Sequence, residues 1–426
     1  MSKKNFIAKI EEKKNIIIQI VFWIATILYG LFCLYIYYNQ SIQPLDESNR
    51  YFQSDLPYHI SMIVDDGWYY SLTAYAYILL YRIAGNTTIG IAIFLALVSV
   101  ATILLTEKLL GVLGIQDKMV TCGGALVLNL IMPFYIRWAG AYRYVSYQSP
   151  NIWHNSTYQC MKPAAIGCII FYLYLKRKYE KEGIKVIEWI GFSAALAVTT
   201  GIKPSFLTVF APVFAIKLLI DLIGRRAKFW RIFAFGSTVF PALGVILWQN
   251  SVLFGSDTEN GFTISFMESF SFHADHPKIT VLLSVAFPVI VVLSMLTQYI
   301  IDSIKDKERM KRNRSRAQSK RSLISAILTE FDTEFVFAMT VMFVGFMEAA
   351  LLIETGSRSR DGNFLWGYSI AIFWMECLCF KKWYEMIEKK RWVRLIICGL
   401  VLAYQLFCGT VFLYRLYLGE TYFMIF

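Results

Sequence analysis

Long apolar runs recur along the chain from near Ile16 to its last residues, separated by short polar intervals in which Lys and Arg gather. An apolar run of about 20 residues, wound as a helix, crosses a hydrocarbon core of roughly 30 Å. Eleven runs meet or approach that length, at about 16 to 38, 88 to 106, 119 to 137, 161 to 175, 186 to 201, 204 to 222, 230 to 254, 279 to 301, 333 to 354, 364 to 380 and 393 to 416. They predict an all-α integral membrane protein of about 11 transmembrane helices, and residues 1–426 read as one polytopic domain because no interval has room for a soluble one. Met1 to Asn15 is polar and lysine-rich, and the run after it is too long for a removable signal peptide, so it reads as a retained first span.

Charge orders these runs. The basic residues collect in alternate intervals: up to Lys14, at Lys108 and Lys118, from Lys176 to Lys185, Lys217 to Arg231, Lys305 to Arg321 and Lys381 to Arg394, together 32 of the 42 Lys and Arg residues. The positive-inside rule makes these intervals, and the N-terminus, cytoplasmic in a multi-pass cell-membrane protein. Arg50, Arg82, Arg137, Arg143, Lys162, Lys203, Lys278, Arg358, Arg360 and Arg415 are left for the outside. The net charge of +12 thus reports topology rather than nucleic acid, and a 57% hydrophobic composition excludes a soluble globular enzyme. Lys305 to Arg321 reads as a solvated cytoplasmic loop facing anionic lipid. Tyr69 to Ala84 is apolar and aromatic, but counting it as a span would reverse every later interval; it reads as a helix at the outer interface. The eight cysteines fall mostly within apolar runs and suggest neither disulfides nor a metal site.

With this order all four histidines fall in outer intervals. The first, Asn39 to Gly67, also carries Asp46, Glu47, Asp55, Asp65 and Asp66, concentrated in FQSDLPYHISMIVDDGW. Pro57 in the first turn of a helix beginning near Leu56 puts Asp55 at its N-cap and His59 one turn in. Asp55 is then either a cap or a base that takes a proton from an incoming hydroxyl, with His59 tuning it or binding substrate. Asp65 and Asp66 are second candidates for that work, or mark the start of the interfacial helix. The second outer interval, Trp138 to Lys162, is rich in Tyr, Trp, Asn, Gln and Ser, a palette suited to sugars, whose apolar ring faces stack on aromatics and whose hydroxyls meet amides. Trp153, His154 and Asn155 stand out within it, whereas Tyr142, Tyr144 and Tyr147 suit an aromatic belt equally well. Tyr58, His273 and His276 are further substrate-binding candidates, and the His273/His276 spacing is no metal signature. Among the scarce outer cations, Lys203, Arg358 and Arg360 suit a phosphate, although the arginines also suit snorkelling or pairing with Asp361, and Glu348 and Glu354 stand near the same end.

The order over Tyr51 to about Leu110, an acidic first-loop motif SDLPYHI, an interfacial YAYILLYRIAGN and then a span, resembles the GT-C superfamily of polytopic membrane glycosyltransferases. The resemblance implies a GT-C-like fold with outer loops, and transfer of a sugar from a polyprenyl-phosphate carrier to an extracytoplasmic acceptor in bacterial envelope assembly, usually with inversion. The base role falls on Asp55 first and on Asp65 or Asp66 second. The implied partners are the lipid-linked sugar donor, a lipid-linked or polymeric glycan acceptor and the bilayer, without nucleic acid. A divalent cation, magnesium or manganese, is compatible with this chemistry, but no ligand set in the sequence is specific to one. The chain departs from the protein mannosyltransferase and aminoarabinose transferase branches in lacking an adjacent Asp-Glu followed by a His-Pro-Pro segment, and it lacks the WWDYG-like motif and large outer domain of oligosaccharyltransferases, which argues against a peptide acceptor. A repeat-unit polymerase or ligase of surface polysaccharide is the neighbouring alternative. A lipid-linked sugar transporter or flippase is a more distant one, expected to carry charges or broken helices at mid-membrane, where Glu376 and the Gly123, Gly124 pair are the residues of note.

Overall fold

The computed structural model describes residues 3–45, 51–254, 261–312, 333–356 and 361–420. In chain order they form α1 (Lys3–Ser41), α2 (Leu56–Val64), α3 (Leu72–Ile83), α4 (Ile89–Val112), α5 (Lys118–Leu130), α6 (Ser156–Lys176), α7 (Val186–Ile202), α8 (Ser205–Ile223), α9 (Phe229–Gly236) and α10 (Phe240–Phe254). There follow β1 (Phe262–Ile264), α11 (Glu268–Ser271), α12 (Pro277–Ser284), α13 (Ala286–Arg312), α14 (Thr333–Leu351), β2 (Leu352–Glu354), α15 (Leu365–Glu388) and α16 (Trp392–Tyr417). The strands pair antiparallel, Phe262 opposite Glu354, and are a small exception to the all-α expectation.

Every predicted run lies largely on helix. Among the described residues seven segments are long and apolar enough to cross a membrane: Glu11–Ser41, Ile89–Val112, Ser205–Ile223, Phe229–Val252, Ala286–Lys305, Thr333–Leu351 and Trp392–Tyr417. The chain is an all-α, multi-pass membrane protein. α6 and α15 are as long but less apolar, because protein rather than lipid covers them: every α15 residue from Trp366 to Phe380 is buried. α3, with 12 residues, spans only about 18 Å and is too short to cross.

Contacts between helix ends sort the bundle into two ends. At one, Arg177 donates to Val112 O at 2.7 Å and pairs with Glu334 at 3.6 Å, Lys118 pairs with Glu107, Lys217 with Glu180 at 3.7 Å, and Arg391 with Asp302 at 3.9 Å. These are the basic intervals of the sequence, gathered together. At the other, Ser41 donates to Thr88 at 2.8 Å, Phe52 N–H to Gly419 O at 2.6 Å and Asp55 N–H to His154 O at 3.0 Å.

Five expectations change. The run at 119 to 137 is helical only to Leu130, because Pro133 disfavours helical backbone at Met132 and cannot donate a helical bond. Its 13 residues are about 20 Å long, and irregular, mostly buried backbone from Ile131 to Asn155 follows. That segment docks on α16, where a Cβ on Gly409 would come within 1.8 Å of Leu130 O; only glycine fits. The run at 279 to 301 breaks at Val285 between α12 and α13, and α13 carries helix on to Arg312, into the basic stretch read as a loop. Lys162, expected outside, is 3% exposed within α6 and donates to Asn129 Oδ1 at 3.1 Å and Asn151 Oδ1 at 2.6 Å. The strand at Leu352–Glu354 replaces the end of the predicted span at 333 to 354.

Candidate functional site

A cavity of about 900 Å³ opens at the bundle end opposite the basic intervals. α2, the irregular segment 131–155, the α7–α8 turn, α10, α11 and the starts of α6 and α15 contribute to its walls, which carry Asp55, His59, His154, Asn155, Lys203 and His273. Asp55 and His273, 218 positions apart in sequence, thereby face one space.

Its ordering element is a chain of hydrogen bonds. Lys203 Nζ donates to Thr157 Oγ1 at 3.1 Å, Thr157 Oγ1 donates to Asn155 Oδ1 at 2.8 Å, and Asn155 Nδ2 donates to Asp55 Oδ2 at 3.0 Å. Asn155 is the N-cap of α6 and its Oδ1 also accepts from Tyr158 N–H at 2.9 Å. Two donors on Oδ1 fix the amide, so its NH₂ side faces Asp55 and favours the ionised carboxylate there. Lys203 terminates α7 just before Pro204, and its ammonium also lies 5.4 Å from the Trp366 ring centre, a cation–π distance.

Asp55 occupies the N-cap position of α2 with Pro57 in the first turn, as the sequence predicts, but its side chain makes no cap bond; it turns to Asn155. His59, one turn on, lies within 3.5 Å of the Tyr70 hydroxyl. His154 Nδ1 is 2.8 Å from Tyr144 Oη, and its ring packs against Trp366 at 5.5 Å. Burial pushes the His154 pKa down to about 4, with Lys203, His59 and His273 adding to the effect and Asp55 opposing it. A neutral imidazole therefore faces the cavity at neutral pH. In the unfolded chain the same ring titrates near 6.5, so the unfolded state binds more protons between those values. Stability contributed by His154 is complete above about pH 6.5 and falls as pH drops toward 4, by up to about 3 kcal/mol. Thermal unfolding at pH 7 and 4.5 should show a smaller acid loss in His154→Gln than in the wild type.

Other candidates separate. Tyr58 and His273 line the cavity. Asp65 and Asp66 are exposed at the end of α2 and outside its lining, Asp65 accepting from Ser61 Oγ at 2.8 Å. Trp153 is 4% exposed and stacks on Tyr37 at 6.1 Å, so it is core rather than a sugar platform. His276 lies outside the cavity against Trp138. Arg358 and Arg360, with Asp46 and Glu47, lie outside the described residues. Among the described residues no group of three or more His, Cys, Asp or Glu is arranged to hold a metal ion.

The polar residues read as a sugar palette mostly serve their own backbone. Tyr147 Oη donates to Ile136 O and accepts from Ile136 N–H, Tyr144 Oη accepts from Trp153 N–H, and Asn151 Nδ2 donates to Leu128 O and Ile131 O. Irregular backbone inside a membrane protein requires such partners. Thr157, Thr208 and Glu348 were not singled out as binding residues, yet all three line the cavity, Thr208 Oγ1 donating to Glu348 Oε1 at 3.0 Å. Comparison with protein-family models and with curated protein sequences finds no match.

Proposed function

We propose that the protein is a membrane glycosyltransferase that moves a sugar from a polyprenyl-phosphate carrier to an acceptor hydroxyl on the extracytoplasmic face. The observation that carries the proposal is the bonded line from Lys203 to Asp55 along one cavity wall. It holds a cation for a phosphate and a carboxylate for a proton on the same surface, with two fixed polar groups between them. The placement of this cavity at the end away from the basic intervals, and the resemblance of the first-loop segment to GT-C enzymes, favour the same reading.

In this mechanism Asp55 takes the proton of the acceptor hydroxyl as its oxygen attacks the anomeric carbon. The bond from that carbon to the phosphate oxygen breaks, and polyprenyl phosphate leaves with the electron pair, its charge met by Lys203. Phosphate leaves readily without a general acid. Attack from the face opposite the phosphate inverts the anomeric centre. The eleven-helix topology with a cytoplasmic N-terminus in the cell membrane belongs to the same proposal.

The test is sugar transfer by purified protein in detergent, from a panel of polyprenyl-phosphate sugars to lipid-linked acceptors. Lys203→Met should raise the KM for donor by about ten- to a hundredfold, the worth of a hydrogen bond to a charged group, with a smaller change in kcat. Transfer with an unchanged donor KM would remove Lys203 from phosphate recognition; no transfer from any donor would count against the enzyme and favour a lipid-linked sugar transporter.

A further inference from the structure

Beside the cavity, segments 136–146 and 273–284 are bonded into one surface. His276 N–H donates to Ala139 O at 3.1 Å, Tyr142 N–H to Ser146 Oγ at 3.1 Å, and Ser146 Oγ to His273 O. Gly140 sits between them, where a Cβ would come within 2.6 Å of Ser146 Cβ and 3.0 Å of Thr280 Cγ2. On this fixed backbone the Trp138 ring lies 4.5 Å from the His276 imidazole at 33°, yet remains 65% exposed. Arg137, Asp275 and Lys278 around it are exposed as well. His273, on the same surface, lines the cavity, and the Tyr142 ring stands edge-on to it at 6.4 Å.

We infer that Trp138 and His276 form a glycan-binding platform beside the cavity mouth, taking a pyranose ring of an oligosaccharide acceptor whose reacting end reaches inward past His273. The choice of ligand rests on the glycosyltransferase reading. A flat indole covers the C–H face of a sugar ring, and the hydroxyls at the ring edge meet the ionisable groups around it. Holding the aromatic in place before binding spares the ordering cost that a mobile side chain would add. The acceptor implied is longer than a single sugar, because it engages the platform and the cavity at once.

The test measures binding without turnover. The full-length protein in detergent is titrated calorimetrically with maltohexaose, cellohexaose and chitohexaose, and with the corresponding disaccharides. At least one hexasaccharide should bind more tightly than its disaccharide, Trp138→Ala should weaken it about tenfold, and Trp138→Phe should retain most of the affinity. Binding of no hexasaccharide, or equal binding by wild type and Trp138→Ala, overturns the platform, as does a Trp138→Ala effect confined to reconstitution into lipid vesicles. Absence of sugar transfer by a wild type that binds the hexasaccharide counts against the glycosyltransferase reading and leaves the platform standing.

Discussion

Asp55→Asn is expected to reduce sugar transfer by about 10² to 10⁴ while leaving donor affinity within a few-fold of wild type. The substitution suits the geometry because an amide oxygen at this position still accepts from Asn155 Nδ2, now at 3.0 Å, so the wall keeps its shape. What disappears is the ability to take a proton from the acceptor. A kcat loss at constant donor KM therefore isolates the base from the binding function assigned to Lys203. Asn155→Ala should give a smaller loss of the same kind, since it removes the donor to the carboxylate together with the α6 cap, and the cap alone costs about 1 kcal/mol of stability. Normal turnover in Asp55→Asn would refute the base assignment and move polymerase or ligase chemistry ahead. The measurement is single-turnover transfer with donor binding followed separately, so that binding and chemistry are not confounded.

The sequence carried Asp55 well, because its position depends on local rules: Pro57 pre-sets the first turn of α2, and the residue before that turn becomes the N-cap. The partner of its carboxylate was not local. Asn155 lies 100 positions away, and only the fold brings it, Thr157 and Lys203 to one wall. The alternation of basic intervals was legible because the constraint behind it acts on short loops near helix ends, and the ion pairs at one end of the bundle gather the same intervals. The second outer interval was legible only in part: Tyr144, Tyr147, Gln148, Ser149, His154 and Asn155 line the cavity, but several of its side chains also bond backbone. Tyrosines and asparagines that bind sugars in a cleft are the same residues that satisfy irregular backbone away from water, and composition does not separate the two uses. Trp153 fell to that ambiguity and became core. Asp65 and Asp66 share the acidic string of Asp55, but the single helix turn between His59 and the end of α2 carries them off the cavity.

Lys162 shows most directly what the fold adds, and Lys162→Met is expected to cost about 2 to 5 kcal/mol of stability, because it strips the hydrogen-bond donor from two buried amide oxygens. Its ammonium is held by Asn129 and Asn151 and lies 4.1 Å from the Phe373 ring centre, with Glu376, 1% exposed, near enough to interact electrostatically. Asn129 is tied in turn to Thr106 Oγ1 at 3.0 Å, and Asn151 to carbonyls at the end of α5 and just beyond it, at 3.1 Å to Leu128 and 2.6 Å to Ile131. Methionine matches the length of the lysine stem but leaves both amide oxygens without their donor. The Lys162→Met, Glu376→Gln double variant should lose less than the two single losses added together, because the two buried groups interact and each single change removes that interaction. The measurement is the folded fraction across an SDS titration for the four proteins of the cycle. Additive losses would mean that the two groups are independent, and the lysine would then act through the asparagines alone. Since Asn151 anchors the segment that presents His154 and Asn155, the single variant should also lose transfer in the range where it is still folded, with the donor KM rising less than kcat falls, because the wall that orients Asp55 loosens before the bundle opens.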